Sequence, residues 1–103
     1  MFAIYFLTCG SDKEAKKIAS HLISLHLVVC TKRIPVSSIY PWKEKVEEAN
    51  EILLTMDGRE SDFEKIEKEI KKLHSYETFV LTATPITRVN SDAKNWMENE
   101  LNK

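Results

Sequence analysis

Three features of the sequence predict an α+β chain running β-α-β-β-α-β with a short helix appended. Runs rich in β-branched and aromatic residues, Phe2 to Thr8, Leu27 to Ile39, Val46 to Met56 and Thr78 to Val89, are separated by stretches of helical periodicity. Ser-x-x-Glu pairs, Ser11 with Glu14 and Ser61 with Glu64, open the first two helical stretches. The two central β runs are joined by a short segment and read as one long hairpin. Two β-α-β halves with right-handed crossovers give a ferredoxin-like fold, an antiparallel sheet with two helices on one face.

The first run, Phe2 to Thr8, is apolar on both faces, which predicts a central strand covered on both sides. Gly10 ends it. Ala15, Ile18, Ala19, Leu22 and Ile23 then recur at helical spacing, with Lys13, Lys16 and Lys17 left to water, so a helix is predicted from Ser11 to about Leu25–Leu27. In the second run Pro35 cannot donate to a ladder, so this strand lies at an edge or is bulged near that residue. Asp57-Gly58 is read as the close of the third strand. Phe63, Ile66, Ile70 and Leu73 mark a second amphipathic helix, whose Glu64–Lys68 and Glu67–Lys71 spacings suit surface pairing. Pro85 again points to an edge or bulge in the fourth strand. Ser91 is read as the cap of a third helix that carries Ala93, Trp96, Met97 and Leu101 on one stripe.

With 103 residues, the chain reads as one domain spanning 1–103, large enough for a core without staples. Apolar and charged shares of 43% and 30% are those of a globular protein. A formal net charge of −1 supplies no field for nucleic acid or anionic lipid, and the longest apolar run, Leu22 to Cys30, is too short to cross a bilayer. Neither partner is expected. The chain enters its first strand directly after Met1, without a basic leader, and Cys9 and Cys30 form no disulfide framework, so the expected compartment is the cytoplasm. Two-sided apolar strands in a sheet with helices on only one face leave a second face to be covered, and a homo-oligomer is expected.

The hairpin end, Ser38-Ile39-Tyr40-Pro41-Trp42-Lys43-Glu44-Lys45-Val46-Glu47-Glu48 followed by Glu51-Ile52, places two aromatics and two lysines where Asn-Gly would be routine. It resembles the Y-x-W-x-G-K-[IV]-E…E-[VI] signature of the CutA divalent-cation-tolerance proteins. His74-Ser75-Tyr76-Glu77 is similar to that family's H-P-Y-E element, Asp92 to Trp96 to its D-Y-x-x-W ending, and Leu27-Val28-Val29-Cys30-Thr31 to the start of its second strand. Glu44, Ser75, Phe79, Asp57-Gly58 and Ala93 depart from the pattern, marking a diverged member. The resemblance implies a ferredoxin-like fold and a compact homotrimer in which each central hairpin reaches along its neighbour. Divalent-metal tolerance, copper binding and, in animals, acetylcholinesterase anchoring are the themes attached to the family.

Split β-α-β topology places the end of the first strand, Thr8 and Cys9, beside the start of the third near Lys45 and the start of the fourth near Tyr76 and Glu77. Cys9, His74 and Glu77 then offer sulfur, imidazole and carboxylate to copper or another divalent cation. The competing reading makes Cys9 a packed thiol and His74 a helix C-terminal residue favoured by the dipole. The resemblance puts the family's own metal-binding cysteine at Leu7, and one of its histidines at Leu73. Tyr40, Trp42 and Lys45, with Tyr76, form a second candidate site: stacking faces and a cation for a small anionic ligand at a subunit cleft, or anchors of the interface itself. His21 and His26 are read as boundary or surface residues.

No nucleophile elbow, phosphate-binding glycine loop or C-x-x-C pair is present, so neither an enzyme nor an organic cofactor is indicated. Two functions remain open. One is a metal-responsive trimeric binding protein; the other is a non-enzymatic trimeric scaffold or small-anion-binding signalling module whose metal binding is incidental.

Overall fold

The computed structural model describes residues 1–103. Its elements are β1 (Phe2–Cys9), α1 (Asp12–Ser24), β2 (Val28–Trp42), β3 (Lys45–Arg59), a 3-10 turn (Glu60–Asp62), α2 (Phe63–Lys71), β4 (Leu81–Pro85) and α3 (Ser91–Leu101). The four strands form one sheet in the order β2-β3-β1-β4, antiparallel throughout. This is the ferredoxin-like α+β arrangement that the element order predicts.

Along β1 the side chains alternate in depth. Ala3, Tyr5, Leu7 and Cys9 are fully buried, while Phe2, Ile4, Phe6 and Thr8 are half-buried on the other face. The buried set meets Ala15, Ile18, Ala19 and Leu22 of α1 and Ile66 and Ile70 of α2, the stripes that helical spacing marks in the sequence. The second face is not left open as the fold alone implies. Helix α3 covers one end of it, where Met97 and Leu101 pack with Val29 against Phe2 and Val89. Trp96, read as part of that stripe, is half exposed.

Several boundaries differ from the sequence reading. Ser11 does cap α1, its Oγ accepting the Glu14 N–H at 3.1 Å. Ser61 and Ser91 do not act as caps: a 3-10 turn leads into α2, and Asn90 precedes α3 with no side-chain bond. Gly58 lies inside β3, which continues to Arg59, because β1 supplies partners as far as Phe2. A Cβ at Gly58 would stand 2.7 Å from the Leu27 carbonyl, so close passage of the chain, not strand termination, calls for glycine there. Helix α1 ends in a Schellman turn: the Leu27 and His26 N–H groups donate to Leu22 and Ile23, with His26 at φ 59° where glycine is usual. β2 is an edge strand, as Pro35 suggests, but its bulge falls at Cys30, φ 45°. β4, also an edge, covers only five of the twelve residues between Thr78 and Val89.

Beyond the last β1 partner, Cys9 with Ile52, β2 and β3 continue as a two-stranded arm. They pair from Val36 with Glu51 out to Trp42 with Lys45, giving the molecule a long dimension of 45 Å against 26 and 21 Å. The two-residue tip, Lys43 and Glu44, has φ of 50° and 67°, the left-handed pair of a tight hairpin turn made without glycine.

Candidate functional site

The end of β1, the first turn of α1 and the segment after α2 meet at one end of the sheet. Cys9 is wholly buried. Its Sγ, a carboxylate oxygen of Glu14 and a ring nitrogen of His74 lie within 4.8 Å of one another. Sulfur, oxygen and nitrogen donors at this separation are the mixed set that suits a borderline cation.

Two of the three donors, His74 and Glu14, are also hydrogen-bonded within the chain. The Thr8 carbonyl can only accept, so His74 Nε2 at 2.9 Å carries the ring proton, and Nδ1 accepts the Tyr76 N–H at 3.1 Å. The imidazole is thus fixed in orientation by both ring nitrogens, stacked on Phe79 and tilted against Tyr76. Its Nδ1 faces Glu14 Oε1 at 3.8 Å. Glu14 accepts from the Gly10 N–H at 3.1 Å and the Ser75 N–H at 2.8 Å, tying the β1–α1 turn to the segment after α2. Burial pushes its carboxyl up, but these hydrogen bonds outweigh that and hold it below the usual range. Burial, reinforced by the charges of Glu14 and Glu51, pushes the Cys9 thiol up to about 12.

Next to this cluster Tyr76 closes over Glu51. Its hydroxyl donates to Glu51 Oε2, and its ring lies where a Cβ on Gly10 would meet it at 3.1 Å. Glu51 is 6% exposed, the one charged residue in the core. Burial first, then the hydrogen bond to Glu51, raises the Tyr76 phenol well above its ordinary value. Tyr76 therefore stays a neutral donor.

The structure gathers some of the sequence-selected residues and separates others. Cys9, His74 and Tyr76 are together. Glu77 is exposed and takes no part in the cluster; the carboxylate is supplied by Glu14. Its Ser-x-x-Glu spacing marks Glu14 only as a capping residue, which conceals its second role. Glu51 enters the sequence reading only through the E-[VI] part of the resemblance, and nothing local marks it as buried. Lys45 is not beside Cys9: it pairs with Trp42 at the arm tip, seven residues of β3 beyond Ile52, about 23 Å at 3.3 Å per residue. Tyr40 and Trp42 are 37% and 36% exposed on that arm, with Lys43 Nζ 5.6 Å from the Trp42 ring centroid. His21, at the edge of α1, bonds Glu69 Oε1 at 2.8 Å and so bridges α1 to α2; His26 is exposed.

Residues 3–100 match the family model for the CutA1 divalent ion tolerance protein. The divalent-cation tolerance protein CutA of Archaeoglobus fulgidus is 31% identical over 98 residues, 95% of this chain and 96% of its own. Protein CutA of mouse is 32% identical over 93 residues, 89% of this chain; the match spans about half, 52%, of the mouse protein. A solved Archaeoglobus fulgidus structure, described as a periplasmic divalent cation tolerance protein CutA, superposes with a TM-score of 0.95 at 30% identity, covering 98% of this chain and 99% of that one. Rice CutA1 gives 0.91 at 28%, covering 96% and 92%. By sequence and by fold, this chain belongs to the CutA1 divalent ion tolerance family.

Proposed function

We propose that this protein is a non-enzymatic, cytoplasmic, homotrimeric binding protein for divalent cations, with copper or another borderline metal taken up at Cys9, Glu14 and His74. The observation that carries the reading is the convergence of sulfur, carboxylate and imidazole from three separate elements to within 4.8 Å. His74 Nδ1 becomes a ligand once the Tyr76 N–H turns away from it, and its Nε2–H stays anchored on the Thr8 carbonyl, the outer bond that metal-binding histidines commonly make. A bound cation also draws off the thiol proton. Three protein donors leave a position for water, which favours reversible uptake over a closed structural site.

Support for assembly comes from the arm, where Ile39, at 69%, and Val46, at 77%, are large apolar residues in water. Two free thiols are compatible with a reducing compartment. Cell fractionation tests this location against the periplasm named for the Archaeoglobus relative.

A second reading has its own observation. His74 and Glu14 are hydrogen-bonded without a metal, and the Cys9 thiol is buried among core residues, as expected of a structural cluster inside a scaffold. Zinc titration by calorimetry separates the two. The metal reading expects binding that is lost in Cys9→Ser, His74→Ala and Glu14→Gln and that rises about tenfold per pH unit between about pH 6 and 9. The sign follows from the thiol: protonated until about 12 in the free protein, it must release one proton to bind metal throughout that range. Affinity indifferent to pH and to these substitutions leaves the scaffold as the function.

A further inference from the structure

At the opposite end of β1, about 23 Å from Cys9 by strand rise, lies a cavity of about 630 Å³. Phe2, Ile86 and Val89 supply its apolar wall, and Arg59, Arg88 and Lys94 line it against a single carboxylate, Glu98. In a chain of net charge −1, three cations around one hollow are a local excess. Arg59 is held in place: Nη1 donates to the Leu101 carbonyl at 3.2 Å and Nη2 to Asn102 Oδ1 at 2.5 Å. These bonds neutralise the negative end of α3 and leave the guanidinium with N–H groups to spare. Arg88 and Lys94 are exposed and join none of the ion pairs of the chain.

From this we propose that the cavity is a binding site for a small organic phosphate, unrelated to the cation cluster. Three cations less one carboxylate match a phosphate dianion better than a singly charged carboxylate, and Arg59 presents the planar, fixed fork that suits phosphate oxygens. The volume lies within the range of small-ligand pockets, and the apolar wall formed by Phe2, Ile86 and Val89 gives the organic part of the ligand a surface that inorganic phosphate would leave unused.

Phenyl phosphate is the test probe, titrated by calorimetry and followed by amide NMR shifts in metal-free, low-salt buffer. Expected are submillimolar binding, shifts confined to residues around Phe2, Arg59 and 86–98, tighter binding than inorganic phosphate, and weakening as salt is raised. The double variant Arg88→Gln/Lys94→Gln, both sites exposed and free of internal bonds, should keep its Tm and lose affinity by at least about tenfold. Cys9→Ser should leave phenyl phosphate binding unchanged, so failure here and failure of the metal reading are separate results. Absence of binding at about 10 mM probe would overturn the proposal. So would unaltered affinity in the double variant, or equal binding of neutral benzyl alcohol. If the variant instead changes subunit association and the probe does not bind, the cavity receives a second copy of the chain and the proposal fails.

Discussion

The base and the tip of the β2–β3 hairpin belong to the same two strands but differ in what surrounds them. At the base, β3 has a strand on each side and helices above, and Leu54 and Met56 are fully buried. From Glu51 outward it has β2 alone, and Val46 stands in solvent, as does Ile39 of β2. A two-stranded ribbon is marginal in water without further packing. The base thus contributes stability to the fold, whereas the tip holds its shape by a tight turn and leaves Ile39 and Val46 in solvent. Under the proposed assembly the two ends separate folding from association within one element, and substitutions can test whether the separation is real.

Leu54→Ala at the base should have the largest effect, destabilising by about 3 kcal/mol in urea unfolding through lost burial and a residual cavity. Val46→Ala at the tip should change the same measurement by less than about 0.5 kcal/mol at subunit concentrations too low for assembly. Equal effects would abolish the distinction between base and arm. Gly58→Ala comes next at about 2 kcal/mol, because the new methyl group must push back the Leu27 carbonyl just before β2. A neutral result would mean that the base has slack that its contacts do not suggest.

Trp42→Ala addresses the arm from the other side. Its expected cost is about 2 kcal/mol of association free energy, read by sedimentation, with little change in the unfolding of the isolated subunit. A trimer that stays intact while ligand affinity is lost would place Trp42 in a pocket instead. The smallest effect is a gain. Glu44 holds φ 67° at the turn, a conformation that costs a residue with a Cβ about 1 kcal/mol, so Glu44→Gly should tighten the arm by about that much. Slower amide exchange between Val36 and Glu51 is the measurement, and no change there would mean that the arm is already held by other contacts.

What the sequence determined by itself is the periodic part of the molecule. The core stripes of α1 and α2, the Ser11 cap and the central position of β1 follow from spacing and capping chemistry, and Pro35 and Pro85 narrow β2 and β4 to an edge or a bulge. Each depends on neighbours within a few residues. The Ser61 and Ser91 caps failed because a local signal specifies only a preference, and the turn entering α2 and the packing of α3 on Val29 decided otherwise. The partnership of Cys9 with Glu14 and His74, the Tyr76 bond over Glu51 and the distance of Lys45 from all of them were decided by tertiary structure alone. The first depends on where the segment after α2 returns to the end of β1; the other two depend on which residue of β3 lies opposite the last residue of β1. That register is set by core packing over the whole sheet, since a shift of one residue would turn Leu54 and Met56 out of the core and carry Ile52 away from Cys9.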